Sequence, residues 1–467
     1  MSGTFDVAII GAGDVGAAIA RELAAFDLSL VLIDSCDVGA GTSKANTAIL
    51  HTGFDATPGT LESRLVARGH ELLGAYAREV GIPLEATGAV LAAWNQAELD
   101  ALPAIAAKAR ENGYASIAPL SSGELYDLEP RLGAGALGGL LIPGESIVCP
   151  WTAPLAWATE AASGGAALMR FTAVRNLGRE ESAWRLDTTA AEVRARWIVN
   201  AAGLHSDDLH TMAGYDGLAI TPRRGELIVF DKLARPLLRH IVLPVPTAET
   251  KGVLVAPTVF GNVLLGPTAE DITDKSDTSC TAAGLAYLRG EGRRILPELL
   301  EHEVTATYAG LRAASGLGDY LLLADGARRY ACAAGIRSTG LTAAMAIAEW
   351  LRDELARAGL PLRPRGEPLV PPRMPYIGEG APRPFSDRSA TEHGREYGQI
   401  VCFCERVTRG EIRDACAGPL PAADLDGVRR RTRALTGRCQ GFYCAADVAA
   451  EIAAARGTAP AEPWWQP

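Results

Sequence analysis

The chain opens on a compact apolar run, FDVAII at 5–10, followed by an Ala-rich stretch at 15–26 with helical spacing and a second apolar run, LSLVLID, at 28–34. Near-continuous apolar character without alternation predicts strands covered on both faces, and the order strand, helix, strand predicts a β-α-β unit. Between 60 and 110 the stretches LESRLVARGHELLGAYAREV and NQAELDALPAIAAKARENG carry helical periodicity. From 165 to 265 short strand-like runs dominate, among them RARWIVNAAG, GELIVFD, GVLVAPTV and NVLLGP. Helical spacing returns over 340–358 and stops at a Gly and a Pro. Eight prolines then fall between 361 and 385, which predicts an extended connector. Beyond it, 398–457 holds two helix-like segments, the first opening at Thr408 with a capping box to Glu411.

A length of 467 residues exceeds what one core supports, so two or three domains are expected. With 48% hydrophobic and 21% charged residues the composition is that of a globular protein. The net charge of -10 argues against a nucleic-acid partner, whose phosphates need clustered Lys and Arg. The short run Arg429, Arg430, Arg431 with Arg433 reads as a solvated helix face, with docking to an acidic partner as the alternative. The N-terminus lacks the features of a signal peptide and no 18-residue uncharged apolar run occurs, so a cytoplasmic location without a transmembrane helix is expected.

Two motifs carry chemistry. G-A-G-D-V-G at 11–16 follows a strand and precedes a helix, so Gly11 makes the turn, Gly13 admits a pyrophosphate and Gly16 allows close helix packing. Asp34 ends the second strand at the spacing of an acid that accepts from an adenosine ribose. Near the other end stand Cys402 and Cys404 as C-x-C, and Cys439 and Cys444 as C-x4-C. Four thiolates on two turns suit a tetrahedral-sulfur metal site, an iron-sulfur cluster or zinc. The other five cysteines, Cys36, Cys149, Cys280, Cys332 and Cys416, are scattered and read as small buried residues.

The segments GAGTSKANTAILHTGFD at 39–55, V-N-A-A-G at 199–203 and G-I-R-S-T-G-L-T-A-A at 335–344 resemble the flavin family of D-amino-acid oxidase, glycerol-3-phosphate dehydrogenase and L-2-hydroxyglutarate dehydrogenase. SKANTAILHTGFDATPGTLESRL, YAGLRA and VCFCERVTRGEI with GRCQGFYC narrow the resemblance to the glycerol-3-phosphate or hydroxyacid dehydrogenase branch. This branch has a bacterioferritin-associated-ferredoxin-like domain at the C-terminus. The resemblance implies an α/β FAD-binding Rossmann-type domain with an interleaved α+β substrate domain, and a small helical C-terminal iron-sulfur domain. The oxidoreductase would occupy 1–360, with FAD-binding parts about 1–80, 145–215 and 325–360 and substrate-binding parts about 81–144 and 216–324. The connector would occupy 361–397 and a 2Fe-2S domain 398–467.

It also implies FAD contacts from Thr42, Ser43 and Asn46, from Val174, Ala202 and Gly203, and from Gly335, Gly340, Leu341 and Thr342 at the closing motif. His51 would be the base beside the flavin, Arg312 would grip the substrate anion, and Arg337 would clamp substrate or neutralise reduced flavin. Lys251 and Arg224 rank behind them. The four paired cysteines would bind a 2Fe-2S cluster, with zinc as the alternative. The expected reaction is oxidation of a small anionic alcohol, a 2-hydroxyacid or a glycerol-3-phosphate-like polyol phosphate. Electrons would then pass through the cluster to a second flavoprotein or an electron carrier. The alternatives are a subunit of an amino-acid or opine-type dehydrogenase, or a non-catalytic electron-transfer or scaffold subunit. Asp55 stands where glycerol-3-phosphate dehydrogenases carry an arginine, and a carboxylate repels phosphate; that departure favours 2-hydroxyacids, polyols or amino acids.

Overall fold

The computed structural model describes residues 3–246 and 252–458. The first apolar run forms the strand Thr4–Ile10, the helix Asp14–Ala24 follows, and Leu30–Ile33 returns parallel to the first strand with Val7 opposite Leu30. They sit inside an eight-stranded sheet ordered Val174–Arg179, Trp184–Thr188, Val193–Asn200, Thr4–Ile10, Leu30–Ile33, Ala167–Met169. Tyr330–Ala334 adds parallel to Val193–Asn200, and Leu321–Asp325 pairs antiparallel with it. Helix Asp14–Ala24 lies between helices Thr152–Ser163 and Gly340–Arg357, and helix Leu61–Val80 packs on the last of these. Residues 341–348 are buried without a break, as expected for a helix walled in on all sides. A Cβ at Gly69 would lie 2.1 Å from the Thr342 carbonyl oxygen, so the Leu61–Val80 and Gly340–Arg357 helices meet at backbone distance. No helix among the described residues is long and apolar enough to cross a membrane.

A second, nine-stranded mixed sheet draws its strands from 89–142 and 220–315, so it interleaves with the first sheet along the chain. Its longest pair is Ile220–Phe230 with Val304–Ser315, antiparallel from Ile220 opposite Ser315 onward. The Pro-rich stretch is extended, and it is docked. Met374 N–H donates to the Val80 carbonyl, Arg365 N–H to that of Ala25 and Glu379 N–H to that of Val259. Prolines without N–H groups and neighbours biased to extended backbone suit such a strap.

The C-terminal unit has a hairpin, Ile400–Cys402 with Val407–Thr408, and three helices, Arg409–Ala415, Leu425–Thr432 and Ala445–Arg456, where the sequence suggested two. The capping box forms: Thr408 accepts from Glu411 N–H, and Glu411 accepts from Thr408 N–H at 2.8 Å. Val401, Val407, Ile412, Val428, Leu435, Val448 and Ile452 give it a core of its own.

The arginine run is not a solvated face. Arg430 and Arg433 are 2% and 0% exposed, and the Arg431 side chain is nearly as deep. Asp37, on the loop after the second strand, takes Arg430 at 3.0 Å, Arg431 at 2.9 Å and Arg170 at 2.8 Å. Arg433 pairs with Glu405 and Glu379. Buried cations need carboxylate partners, and the partners lie far away in sequence. The scattered cysteines also divide: Cys149 and Cys332 are buried, Cys280 and Cys416 partly so, and Cys36 is exposed, against expectation.

Candidate active site

The Gly-rich turn is shaped by contacts that leave no room for side chains. Gly11 has φ +104, and a Cβ there would lie 2.3 Å from the Ala201 carbonyl oxygen; at Gly16 it would lie 1.8 Å from that of Gly11. The turn is pinned from the second strand, where the Asp34 carboxylate accepts the Ala12 N–H at 2.6 Å and the Cys36 N–H at 2.7 Å. Burial pushes Asp34 above the usual carboxylate range despite these bonds.

Ser43 Oγ accepts the Asp14 N–H at 2.9 Å and would meet a Cβ at Gly13. Ser43 thus stands at the helix N-terminus, where backbone N–H groups and the helix dipole favour an anion. Asp14 itself is buried, its Oδ1 has no hydrogen-bond partner, and burial pushes it up to about 7, with a Ser43 hydrogen bond opposing. A glycine turn without side chains at a helix N-terminus fits a dinucleotide's pyrophosphate, and a buried Asp14 kept protonated leaves that site free of a repelling charge.

The following loop is held against the second sheet. Thr42 Oγ1 donates to the Leu311 carbonyl at 2.9 Å, Tyr308 donates its hydroxyl to the Asn46 carbonyl at 2.7 Å, and a Cβ at Gly310 would strike the Ala45 carbonyl. Asn46 spends its side chain on its own loop, donating to Ser43 O and accepting from Ala48 N–H. Thr342 is fully buried; its hydroxyl accepts the His51 N–H at 3.1 Å and donates to Ile49 O. Leu341 is buried beside it at the start of the helix that Gly340 opens. Gly335 has φ +67 under Ser315. Gly203, φ +56, and Ala202 follow the strand Val193–Asn200, whose Asn200 Oδ1 accepts the Ala202 N–H. Val174 begins an outer strand opposite Thr188.

His51 follows the short strand Ile49–Leu50, and its ring is a quarter exposed at 24%. Its Nδ1 lies 3.1 Å from Oε2 of Glu145, a carboxylate that is 0% exposed. Oε1 of the same carboxylate accepts the Thr52 N–H at 2.7 Å and the Thr52 Oγ–H at 2.9 Å. Sequence reasoning missed Glu145; its one signal is an acid inside the apolar run LLIPGESIVCP.

Arg312, on the strand Val304–Ser315, meets no carboxylate among the described residues, and among them its guanidinium reaches Thr268 O at 3.4 Å. Burial, and then the neighbouring Arg223, push it down to about 10. A half-buried guanidinium that meets no carboxylate among the described residues is suited to an anion. Arg337 differs: it donates to Glu62 at 3.2 Å and to Gly318 O at 3.1 Å, so its charge is already met. Arg224 is buried between Glu270 and Asp277 and is structural. Lys251 lies outside the described residues.

The four paired cysteines come together as two pairs. Cys402 and Cys444 share a hydrogen bond, as do Cys404 and Cys439. The bond from Cys444 holds Cys402 below the usual thiol range while the same proton keeps Cys444 above it. Among the described residues no three His, Cys, Asp or Glu side chains converge on one ion position. Two thiol pairs fit a centre with two irons, each taking two thiolates.

The FAD dependent oxidoreductase family matches residues 6–354, and the BFD-like [2Fe-2S] binding domain matches 400–454. A glycerol 3-phosphate dehydrogenase of Caloramator mitchellensis is 33% identical over 94% of this chain and 92% of its own length. One subunit of the anaerobic glycerol-3-phosphate dehydrogenase of Escherichia coli is 27% identical over 94% of this chain and 86% of its own. The solved L-alpha-glycerophosphate oxidase of Mycoplasma pneumoniae, with FAD bound, superposes with a TM-score of 0.76 at 28% identity, covering 80% of this chain and all of that one.

Proposed function

This chain belongs to the FAD dependent oxidoreductase family and is an FAD-dependent enzyme acting on CH–OH donors with a 2Fe-2S centre, and from that premise we propose that it oxidises a glycerol-3-phosphate-like polyol phosphate. The observation that carries the substrate reading is Arg312, a half-buried guanidinium with no carboxylate partner among the described residues. Its planar fork would hold a phosphate with two charge-assisted hydrogen bonds, which also fixes the alcohol carbon. His51 takes the hydroxyl proton as the carbon–hydrogen bond breaks. When bound, FAD supplies the acceptor for the two electrons that leave carbon. Gly11, Gly13, Ser43 and the start of helix Asp14–Ala24 would hold its pyrophosphate, and Asp34 keeps the turn in shape. Cys402, Cys404, Cys439 and Cys444 would hold the cluster, which would supply single-electron transfer toward a partner redox protein. Likeness to one subunit of a dehydrogenase complex supports such a partner.

Asp55 favours a second reading, a 2-hydroxyacid, because it stands at the sequence position where the resemblance expects an arginine, and an acid in place of a cation suits a phosphate dianion less than a single carboxylate. Anaerobic titration of the purified holoprotein separates the two. Glycerol 3-phosphate should bleach the flavin absorbance, and Arg312→Lys should weaken its apparent binding more than tenfold. Bleaching by 2-hydroxyacids alone would move the assignment to the second reading, and bleaching by neither would remove both.

A further inference from the structure

We propose that Glu145 is a positioning residue that fixes the proton of neutral His51 on Nδ1 and so leaves Nε2 as the nitrogen that accepts the substrate proton. This rests on the reading of His51 as the base and adds what makes the base competent.

Glu145 sits in the turn between the strands Gly138–Ile142 and Ser146–Val148, with no surface exposed. A carboxylate in such a place is costly unless its oxygens are met. Among the described residues, the side-chain and backbone donors that meet it come from the His51–Thr52 segment. Oε1 receives two, Thr52 N–H and Thr52 Oγ–H, and Oε2 faces His51 Nδ1. An ionised carboxylate only accepts, so Nδ1 is the nitrogen that donates. The neutral imidazole then carries its lone pair on Nε2. The residue is held at its other end by its own backbone: His51 N–H binds Thr342 Oγ1, and the His51 carbonyl faces His70 Nδ1 at 3.2 Å. These backbone contacts set the chain path, and Glu145 holds the ring at Nδ1.

The arrangement makes a sharp distinction between a carboxylate and an amide. A glutamine in place of Glu145 would have one accepting oxygen and one donating NH2. Thr52 offers two donors at one end of the group, so the oxygen must face Thr52 and the NH2 must face His51. Nδ1 then has to accept, which moves the proton of neutral His51 to Nε2 and closes the base. A residue that merely filled space would show no such effect, because Glu and Gln have almost the same shape.

The test is Glu145→Gln in the FAD-loaded protein, read in two ways. In nitrogen-15 NMR of histidine-labelled protein, with His51 assigned by His51→Asn, the wild type should show the Nδ1–H tautomer above the ring's titration and Glu145→Gln should show Nε2–H. In anaerobic stopped flow with glycerol 3-phosphate, the flavin reduction rate of Glu145→Gln should fall on the order of 10²-fold, with apparent substrate binding changed much less. An Nε2–H tautomer in the wild type overturns the proposal, and so does a Glu145→Gln reduction rate close to that of wild type. If Glu145→Gln does not fold, the wild-type tautomer alone decides. Failure of the underlying reading looks different: His51→Asn would then reduce flavin at the wild-type rate, whatever Glu145 does.

Discussion

Replacing Asp37 by Asn should detach the C-terminal unit from the flavin domain. Asp37 is buried and receives three guanidiniums, from Arg170 on one side and from Arg430 and Arg431 on the other. Asn keeps the volume and removes the charge, which leaves three half-buried or buried cations in a pocket where, among the described residues, Arg430 alone retains a second carboxylate, Asp426. Side-chain nitrogens of Arg430 and Arg431 already lack partners there, so the lost charge cannot be replaced locally. Breaking a buried ion pair by removing one partner costs about 3–5 kcal/mol. Asp271→Asn is the control, because its pair with Arg223 is exposed and is worth about 1 kcal/mol or less. Urea unfolding followed by tryptophan fluorescence, with limited proteolysis across 361–397, gives the comparison. Asp37→Asn should lower the unfolding midpoint strongly, split the transition in two and expose the strap to protease, while Asp271→Asn leaves the curve nearly unchanged. A loss below about 1 kcal/mol for Asp37→Asn would refute the reasoning, since it would mean the arginines are solvated after all.

The same interface should open in acid. Burial pushes Asp37 and Glu379 up, but the arginines around Asp37 and Lys232 beside Glu379 outweigh it, leaving Asp37 below the usual range and Glu379 at about 2. Carboxyls held below their unfolded values contribute stability above about pH 4 that is lost as pH falls toward 2, so proteolysis of the strap should rise across that window and not above it. FAD retention should weaken as pH rises through about 7, because Asp14 then ionises beside the pyrophosphate site, by up to about tenfold per pH unit. Asp14→Asn should flatten that dependence, and parallel curves would exclude the role. Cys439→Ser should abolish the visible bands of the cluster while substrate still bleaches the flavin; a loss of both would show that the cysteines serve folding first. Gly16→Ala places a methyl against the Gly11 carbonyl and should yield protein without FAD, measured by absorbance of the purified chain.

Much of the fold was legible along the chain because its signals are local. Strand, glycine turn and helix at 4–24, the helices at 61–80 and 340–357, and the capping box at Thr408 each depend on residues a few positions apart. The cofactor motifs were legible for the same reason: Gly11, Gly13 and Gly16 are set by one turn, and each cysteine pair by one loop. The arginine run was misread because polarity along a helix reports charge and not its partners. Asp37 lies almost four hundred positions from Arg430, and no periodicity links them.

The sequence by itself therefore determined the class of chemistry: a flavin nucleotide at one end, two pairs of thiols at the other, and a strap between them. Tertiary structure decided which side chains can act. It joined His51 to Glu145 across ninety-four positions, engaged Arg337 with Glu62 while leaving Arg312 without a carboxylate among the described residues, and buried the arginines that fasten the cluster unit to the flavin loop. The physical reason is that backbone conformation answers to neighbours in sequence, whereas the protonation, orientation and pairing of a charged group answer to whatever burial brings within hydrogen-bonding distance.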